Sequence, residues 1–508
     1  MNRPDVVVVG AGASGAALAA RLSEDPSRTV LVLEAGPVPA DMSGFPEDLL
    51  DARLVPGAQP GHPAVSTHLV RLTPGQAYVA TRGRYLGGST TVNGGYFIRA
   101  READFARWAQ AAGDPLWSYE RVLPVMRELE NDLDLGDGPL HGDNGPVGVR
   151  RTSLTHPAAV AFAEAARSLG YPEEADKNAQ EAPGFGAVPS NAVDGRRINT
   201  GVSYLLGALN RPNLTVLGGC PVRSVVIEGG RAVGVVCERG GRREVVAAGE
   251  VVLCAGAFVS PHLLHLSGIG PARELERVAL PVVADLPAVG AALSDHPQVA
   301  LEWTALEELP EPSGSWLGGA LHLTSSKGEE GDLEILQSLV PLAGLVGEAV
   351  SVPGAPLAFL ASVQTPRRGG RLRTESADPL VAPRIDYGYL ETEADKSALR
   401  DVVRAVASLV ATHVFGAVSS GLVEPASLDD DTALDLWIAT HLGTSQHTCG
   451  TVPMGTSGDS AVDARGRVHG ISGLRVADTS ILPTAPLRGP AATAVLIGEV
   501  IAKAMREE

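Results

Sequence analysis

The stretch VVVVGAGASG at residues 6–15 decides the fold of this 508-residue chain, since it joins an entirely apolar strand to a glycine-rich turn. Four valines in a row suit a strand that is buried on both faces, as the strands of parallel sheets are. Ala16 to Leu22 suits a helix, and Val30–Leu33 suits a second buried strand. This order predicts a parallel β-α-β unit at the start of the chain.

Three glycines in this turn match a dinucleotide-binding fingerprint. Gly10 permits the tight turn, Gly12 lets the backbone approach a pyrophosphate, and Gly15 lets the helix pack closely on the strand. Glu34 ends the second strand, where its carboxylate can accept hydrogen bonds from a ribose. The pattern predicts a bound dinucleotide, and by itself it leaves FAD and NAD open because both use this fingerprint.

Later segments are expected to extend the nucleotide-binding part and then to leave it. Apolar runs predict strands at Leu214–Leu217, Val222–Ile227, Ala232–Cys237 and Glu250–Cys254. Between about residues 302 and 442 the pattern changes to scattered Pro and Gly, short runs such as Ala320–Leu323, and a helical stretch at Lys396–Thr412. We expect an inserted second lobe there.

Composition narrows the class of partner. The chain holds 41 Lys+Arg and 59 Asp+Glu, a net charge of −18 that repels phosphate backbones, so nucleic acid is not expected as a partner. The four cysteines show no CxxC pairing and are typical of buried apolar positions in a reducing compartment. No run of about 20 apolar residues predicts an integral membrane segment, and no leader pattern precedes Val6, so we expect a cytoplasmic protein.

Two longer stretches resemble the signatures of the glucose-methanol-choline (GMC) oxidoreductases. GRYLGGSTTVN at 83–93 is similar to the first signature, and GAFVSPHLLHLSGIG at 256–270 is similar to the second, including a Ser-Pro pair that marks a helix start. EAG at 34–36, DHP at 295–297 and HTCGTVPMG at 447–455 add to the resemblance. It covers the nucleotide-binding part of the chain, whereas the middle lobe carries no motif of the family.

The resemblance implies a fold class and a cofactor. The fold is expected to be α/β, with a Rossmann-type FAD-binding domain and an inserted α+β substrate domain. The FAD-binding domain is expected at 1–150, 195–300 and 443–508, the last with the catalytic histidine, and the substrate domain at 151–194 and 301–442. Some members of the family hold FAD covalently through a histidine just before the Asn of the first signature. Val92 stands at that position, so noncovalent FAD is implied.

The resemblance also assigns the residues that hold the cofactor. The loop from Gly87 to Asn93 would wrap the flavin and pyrophosphate, the backbone of Val222 would meet the adenine, and Asp478 would lie against the pyrophosphate and ribityl region. A loop of small residues suits phosphates because its N–H groups are accessible. The cofactor-binding set is Gly10, Gly12, Ala13, Ser14, Gly15, Glu34, Ala35, Arg84, Gly87, Gly88, Thr91, Asn93, Gly94, Val222, Ala255, Gly256, Asp478, Gly489 and Pro490.

His447 matches the catalytic histidine of the family. An imidazole with an ordinary pKa of about 6.5 can accept the proton of an alcohol at neutral pH. Six other histidines are interpreted as structural, and no set of metal ligands is recognised. These six are His262, His265, His296, His413, His441 and His469.

The chain departs from the family opposite His447. Most members place Asn or His there, whereas this chain has Gly489, preceded by Arg488 and followed by Pro490. Gly489 is expected to cap the C-terminal helix, with Pro490 as its first residue, so that the helix dipole points at the flavin. Arg488 is expected either at the surface or as a catalytic cation near flavin or substrate.

The resulting hypothesis is an FAD-dependent oxidoreductase that takes a proton and a hydride from an alcohol. The donor would be a small-molecule alcohol or a reduced redox cofactor. The short, Lys-poor sequence suggests the family branch associated with the redox peptide mycofactocin, whose reduced form would then be the donor. The electron acceptor stays open. Gly489 prompts one alternative, a catalytically lapsed flavin-binding redox partner. A second alternative, an NAD-linked dehydrogenase, would leave both signatures and His447 without a role.

Overall fold

The computed structural model describes residues 3–347, 354–365, 368–425 and 427–508. In these ranges the helices are α1 Ala13–Leu22, α2 Glu47–Leu50, α3 Glu102–Ala112, α4 Tyr119–Leu129, α5 Pro157–Ser168, α6 Gly256–Leu266, α7 Ala272–Arg277, α8 Glu393–Val410, α9 Asp431–His441 and α10 Ala491–Glu507. The strands are β1 Val6–Val9, β2 Val30–Leu33, β3 Val65–Thr73, β4 Gln76–Gly83, β5 Glu130–Asp132, β6 Val147–Arg151, β7 Phe185–Ala187, β8 Pro189–Ser190, β9 Ala192–Val193, β10 Arg196–Arg197, β11 Leu214–Leu217, β12 Val222–Glu228, β13 Arg231–Arg239, β14 Arg242–Ala247, β15 Glu250–Leu253, β16 Ile269–Gly270, β17 Ala284–Asp285, β18 Pro297–Ala305, β19 Leu317–Leu323, β20 Leu333–Ser338, β21 Leu357–Val363, β22 Arg371–Arg373, β23 Arg384–Asp386, β24 Ser419–Leu422, β25 Gly443–Thr444 and β26 Leu474–Val476.

A parallel sheet in the order β11-β2-β1-β15-β26 forms the centre of the nucleotide-binding part. Val6 lies opposite Val30 on one side and opposite Glu250 on the other, and all of β1 is buried. Burial on both faces is what a run of four valines favours. The predicted β-α-β unit is confirmed, and the strands predicted around Gly229-Gly230 form a separate three-stranded sheet with β14.

Helix α1 begins at Ala13, earlier than the predicted Ala16, because Gly12 takes the extended conformation of an N-cap. Helix α10 crosses α1 at very short range. A Cβ on Gly498 would lie 2.2 Å from the carbonyl oxygen of Ser14, so only glycine permits this approach. The crossing brings the two ends of the chain together around the glycine turn.

The second lobe is built on an antiparallel sheet in the order β24-β18-β21-β20-β19-β7, with β25 beside β18. Helix α8 packs against this sheet through apolar residues at helical spacing. It runs from Glu393 to Val410 instead of the predicted Lys396–Thr412, because the Thr392 side chain accepts the N–H of Asp395 and caps the helix earlier. The central parallel sheet and this antiparallel sheet each pack in a hydrophobic core of their own.

The domain boundaries inferred from the resemblance stay a prediction. Strand β18 runs across the expected boundary at residue 300. Strands β3 and β4, expected in the FAD-binding domain, share a four-stranded sheet with β22 and β23 from the expected substrate domain. In the described ranges, no helix combines the length and the apolar character that crossing a bilayer requires.

Candidate active site

The glycine turn packs too tightly for any side chain. Gly10 has a φ of +100°, and a Cβ there would lie 2.6 Å from the Cys254 carbonyl oxygen. A Cβ on Gly15 would lie 2.0 Å from the carbonyl oxygen of Gly10. Helix α1 starts just beyond with no side-chain cap and no acidic residue in its first turn, so the backbone N–H groups at Ala13 and Ser14 are open to an anionic ligand.

Ser14 and Glu34 frame this turn through different groups. The Ser14 hydroxyl donates to the Ala494 carbonyl at 2.6 Å, which ties α1 to α10. Glu34 accepts the Ala11 N–H through Oε2 at 2.8 Å and the Gly36 N–H through Oε1 at 2.7 Å. Burial raises the pKa of the Glu34 carboxyl, and the two N–H groups oppose that rise. Each oxygen keeps a second lone pair for a ligand hydroxyl.

The loop of the first signature lies directly against the glycine turn. A Cβ on Gly88 would lie 2.6 Å from the Cα of Gly12, so these two backbones touch. Gly87 has a φ of +93°, and the Thr91 hydroxyl donates to the Leu86 carbonyl at 2.6 Å. The structure therefore brings the two predicted phosphate-binding segments together, far apart though they are in sequence.

The ends of this loop are fixed by neighbouring segments. At its start, a Cβ on Gly36 would lie 2.1 Å from the Arg84 carbonyl oxygen, which packs the segment around Ala35 on the loop. Asn93, near its end, accepts the Gly95 N–H through Oδ1 at 3.1 Å. The indole N–H of Trp316, in the second lobe, donates to the Gly94 carbonyl at 2.9 Å. The loop thus joins the two lobes.

A second group of predicted residues surrounds the start of α6. The Asp478 carboxylate accepts the N–H of Gly256 at 2.9 Å and the hydroxyl of Ser260. Burial raises the pKa of Asp478, and these hydrogen bonds oppose the rise. Ala255 is the N-cap of α6, which has no side-chain cap. Val222 starts β12, two residues beyond Cys220, whose N–H donates to the Glu34 carbonyl at 2.9 Å.

The Ser-Pro pair of the second signature does not start a helix, so that expectation is wrong. Helix α6 begins at Gly256, and Pro261 lies inside it. Because proline has no N–H, Pro261 leaves the Ala257 carbonyl without its helical donor. The hydroxyl of Thr451 donates to that carbonyl at 2.8 Å. The proline therefore creates an anchor for the loop that follows His447.

Taken together, the turn and its surroundings suit a dinucleotide cofactor. The backbones of Gly12 and Gly88 are in contact, and neither residue has a side chain that would cover the turn. The N-terminus of α1 has no side-chain cap, and Glu34 directly follows β2. These are the features that a pyrophosphate and a ribose require. The predicted cofactor-binding residues thus converge in space, and their direct contacts with a cofactor stay a prediction.

His447 lies on a loop that is fixed by hydrogen bonds to the carboxylate of Asp295. Asp295 accepts the His447 N–H through Oδ1 at 2.8 Å and the Thr448 hydroxyl through Oδ2. The preceding Gln446 has a φ of +61°, and its Oε1 accepts the guanidinium N–H of Arg82 at 2.9 Å. Arg82 also donates to the Thr448 hydroxyl at 2.7 Å, so both chain neighbours of His447 are fixed.

Burial is the main influence on the proton affinity of His447 and lowers its pKa below the ordinary value of 6.5. The carboxylates of Asp295 and Glu334 oppose this change, whereas the Arg82 cation adds to it. The ring is half-buried, and its Nε2 has no hydrogen-bond partner in the described part of the chain. His447 is therefore a neutral imidazole at neutral pH with one nitrogen free to act as a base.

His296, interpreted from the sequence as a structural histidine, lies against His447 in this site. Its Nδ1 lies 2.8 Å from the Nδ1 of His447. Burial, with a smaller contribution from His447, lowers the pKa of His296 to about 3, so the ring stays neutral. The DHP motif carried both His296 and Asp295, yet sequence alone gave no sign that they face His447.

Gly489 lies opposite His447, as the resemblance implies. A Cβ on Gly489 would lie 3.4 Å from Cε1 and 3.6 Å from Nε2 of the imidazole. The expected helix start is wrong by one residue, since Pro490 is the N-cap and α10 begins at Ala491. The N-terminus of α10 has no side-chain cap and no acidic residue in its first turn.

Arg488 is not at the surface, so the first of its two expected placements is wrong. Its side chain is fully buried and donates from Nη1 to the carbonyls of Gly331 at 3.0 Å and Leu487 at 2.6 Å. Burial lowers the pKa of its guanidinium. Nη2 lies 3.9 Å from Oε1 of Glu174. The catalytic role assigned to Arg488 stays a prediction.

Sequence reasoning missed a buried charged cluster beside Arg488. Lys177 donates from Nζ to Glu174 at 2.7 Å and lies 3.1 Å from Nδ1 of His322, whose Nε2 lies 3.1 Å from Glu334. Burial lowers the pKa of Lys177 to about 8. No motif links these residues, which come together only because β19 and β20 pair beside the segment that contains Glu174. Glu334 is the member whose charge reaches His447.

The remaining predicted structural histidines lie elsewhere. His262 and His265 lie on α6, and the Nδ1 atoms of both rings contact the hydroxyl of Thr374, at 2.8 and 3.1 Å. His441 is exposed at the end of α9, where its Nδ1 contacts the Trp437 carbonyl, and His469 contacts Ser460. Their interpretation as structural residues stays a prediction, as does that of His413.

One group of side chains has the composition of a metal site. Glu130, Asp132 and His141 place ligand atoms within 4.8 Å of one another. Arg99 pairs with Glu130 at 2.5 Å and Arg151 with Asp132 at 2.6 Å. Although burial opposes it, hydrogen bonds that His141 donates to the surrounding carboxylates raise its pKa to about 10, so the histidine is itself a cation. Asp176 pairs with both His141 and Arg151, so three carboxylates face three cations in this ion-pair network. The expectation of no metal stays a prediction.

Comparison with known proteins places this fold and site in a family context. The family model for GMC oxidoreductases matches residues 5–298 with its N-terminal part and residues 366–498 with its C-terminal part. A GMC-type oxidoreductase from the thcA 5′ region of Rhodococcus erythropolis is 37% identical over 97% of both chains. The oxygen-dependent choline dehydrogenase of Klebsiella pneumoniae is 33% identical over 99% of this chain and 96% of its own.

Solved structures agree with the described fold. Pyridoxine 4-oxidase from Mesorbium loti superposes with a TM-score of 0.93 at 29% identity, covering all of both chains. Formate oxidase from Aspergillus oryzae superposes with a TM-score of 0.90 over 99% of this chain and 98% of its own. At 23% identity, the second likeness concerns the fold alone.

Proposed function

The chain belongs to the GMC oxidoreductase family, and we propose on this premise that it oxidises an alcohol, with noncovalently bound FAD as the oxidant and His447 as the base. The free Nε2 of His447 accepts the hydroxyl proton. When bound, FAD supplies the two-electron oxidation by taking the hydrogen of the carbinol carbon as hydride. The chain contributes cofactor binding, substrate orientation and proton transfer.

The contact between His296 and His447 is the observation that carries this proposal. Burial keeps the His296 ring neutral, and its Nε2 has no hydrogen-bond partner among the described residues. Two neutral imidazoles form the Nδ1–Nδ1 contact only if one donates and the other accepts, and we assign the donor role to His447. His447 then donates from Nδ1 across the 2.8 Å contact, which leaves the lone pair on its Nε2. With His447 as the donor, the pair holds the tautomer that a base requires.

After the proton arrives, the site stabilises the imidazolium. Asp295 and Glu334 both favour the charged ring, and Asp295 holds the backbone of His447 through the N–H bond at 2.8 Å. The Nδ1 donor to His296 is unchanged by protonation of Nε2. Burial keeps the resting ring neutral, and the Arg82 cation acts in the same sense. A base that is uncharged at neutral pH suits this role.

The residues around the glycine turn would hold the cofactor. The N-terminus of α1 would face the pyrophosphate, Glu34 would accept ribose hydroxyls, and the Gly87–Asn93 loop would close over the phosphates. The hydrocarbon side chain of Val92 has no atom that forms a covalent link to the flavin. Family membership favours FAD over the NAD-linked alternative.

The relatives give a starting point for the donor. One is named a choline dehydrogenase and another a pyridoxine 4-oxidase, so a small alcohol is the first substrate class to test. The alternative donor, a reduced redox cofactor such as mycofactocin, rests on sequence composition alone. The electron acceptor and the cytoplasmic location stay predictions.

Anaerobic reduction of the bound flavin tests the proposal. The FAD-containing protein is mixed with ethanol, 2-propanol, benzyl alcohol, 1-phenylethanol, choline or pyridoxine, and the flavin absorbance is followed. We expect at least one alcohol to bleach the flavin at a rate that saturates with concentration. If dithionite bleaches the flavin and none of the alcohols does, the lapsed redox partner becomes the better description and the proposal fails.

A further inference from the structure

We propose that Gly489 makes this a site for secondary alcohols, because its missing side chain leaves room beside His447 for a second substituent on the carbinol carbon. The inference rests on the proposed function and names its substrate class. It concerns a residue that would touch the substrate, so it assigns a determinant of specificity.

The geometry at Gly489 shows where a side chain would go. A Cβ built on this residue points at the edge of the imidazole, 3.4 Å from Cε1 and 3.6 Å from Nε2 of His447. That edge carries the nitrogen that accepts the proton in the proposed function. The Cβ would also lie 3.9 Å from Cγ2 of Ile98, so it would sit between the imidazole and this side chain. A larger side chain would therefore compete with the substrate for this space.

The glycine is not required by the backbone. Its φ lies outside the left-handed region that favours glycine, unlike the φ values of Gly87 and Gly88 in the first signature loop. The nearest atoms to the Cβ lie at ordinary van der Waals distance, so alanine fits without movement of the chain. Neither the backbone conformation nor close packing requires glycine at this position. What Gly489 contributes is therefore the space that a side chain would occupy.

The same space has an apolar wall. Ile98 borders it and is fully buried. The adjacent charged residue turns elsewhere, since Arg488 donates to the Gly331 carbonyl at 3.0 Å. A substituent that enters this space therefore meets hydrocarbon, which favours a methyl or a similar apolar group.

The reaction of such an alcohol balances within the proposed function. The O–H proton passes to Nε2 of His447, the hydrogen of the carbinol carbon leaves with two electrons to FAD, and the C–O bond becomes C=O. A primary alcohol would give an aldehyde, whereas a secondary alcohol gives a ketone. No reagent is needed beyond the alcohol and the oxidised cofactor.

Filling the space by one methyl group gives the sharpest test. We compare flavin reduction by the pairs benzyl alcohol with 1-phenylethanol and ethanol with 2-propanol, which differ by one methyl on the carbinol carbon. The wild-type protein should accept the secondary member of at least one pair. Gly489→Ala should then lower the rate constant for that secondary alcohol, relative to its primary partner, by ~10-fold or more, as a single methylene in an apolar pocket is worth about 10–200-fold.

Two controls keep the measurement specific. Gly416→Ala adds the same methyl at an exposed glycine with nothing within 4 Å of its Cβ, and it should leave the ratio unchanged. Ile98→Ala enlarges the space from its other wall and should favour 1-phenyl-1-propanol over 1-phenylethanol. This second variant decides the question even if Gly489→Ala fails to fold with FAD.

The outcomes separate the inference from the function it rests on. Reduction by primary alcohols alone, or an unchanged ratio in Gly489→Ala that holds FAD, overturns the inference and leaves the proposed function intact. An unchanged preference in Ile98→Ala overturns it as well. Reduction by no alcohol of either class overturns the proposed function, and the inference falls with it.

Discussion

Nδ1 of His296 lies 2.8 Å from Nδ1 of His447, with the two ring planes 86° apart. Two neutral imidazoles can form this contact only if one donates and the other accepts. The proposed function assigns His447 as the donor and His296 as the acceptor. The contact therefore directs the lone pair of His447 to Nε2, on the side where Gly489 lies.

Replacing His296 tests this tautomer directly. His296→Ala removes the acceptor of the His447 Nδ1–H, so both tautomers become accessible and a hydrogen bond of about 0.5–1.5 kcal/mol is lost. We expect flavin reduction to slow by roughly 2–10-fold with FAD retained. His441→Ala, at an exposed histidine, is the matched control. An unchanged rate in His296→Ala would show that His447 needs no partner at Nδ1.

Noncovalent binding of the cofactor is the second prediction. Val92 offers only hydrocarbon at the position where some family members carry the linking histidine. Acid precipitation of the purified yellow protein should therefore release the flavin into the supernatant, where its absorbance is measured. Flavin that stays with the washed precipitate would contradict the prediction.

The third prediction concerns pH. His447 must be neutral to accept a proton, so reduction slows as pH falls through its pKa, which burial and Arg82 hold below 6.5. Arg82→Gln removes a cation that disfavours the imidazolium, while Asp295 and Glu334 remain to favour it. The pKa then rises, and the acid limb of the rate profile should move to higher pH.

The charge of Arg82 is separated from its hydrogen bonds by two further variants. Arg82→Lys keeps the cation and should leave the acid limb close to that of the wild type. Arg71→Gln, at an exposed arginine on β3, should have no effect. If Arg82→Lys shifts the profile as far as Arg82→Gln does, the arginine acts through the position of Gln446 and not through its charge.

Local patterns allowed much of the nucleotide-binding part to be predicted. The run of valines and Gly10, Gly12 and Gly15 belong to one short segment, and their geometry follows from burial on both faces and from close backbone approach. The helix ends were less predictable, because they depend on capping side chains such as Thr392. The Ser-Pro pair led to a wrong helix start because the helix continues through Pro261. A hydroxyl from a distant loop, that of Thr451, donates to the carbonyl that Pro261 leaves without a helical donor.

The candidate site was only half visible in the sequence. His447 and Gly489 were found through the resemblance to the family, and the structure places them in contact range. His296 was missed because its role depends on two loops 151 positions apart that meet only in the folded chain. The cluster of Glu174, Lys177 and His322 has no sequence signal at all, since strand pairing in the second lobe assembles it.

Arg488 provides the fourth prediction. Its buried guanidinium donates to two carbonyls, and hydrogen bonds of a charged group are worth about 1.5–3 kcal/mol each, so Arg488→Met should lower the melting temperature. As a fixed cation next to Gly489, it is also expected to raise the flavin reduction potential, which should fall in the variant. Dye-linked reductive titration measures this potential. A lower melting temperature with an unchanged potential would assign Arg488 a structural role alone.

The central claim is that His447 takes the proton of the alcohol, and stopped-flow reduction of His447→Ala tests it most directly. The comparison uses the alcohol that reduces the wild-type flavin fastest, with FAD content measured in both proteins. We expect His447→Ala to hold FAD and to be reduced ~10²–10⁴-fold more slowly, which is the usual contribution of a positioned acid-base group. A variant that holds FAD and is reduced at the wild-type rate would contradict the account.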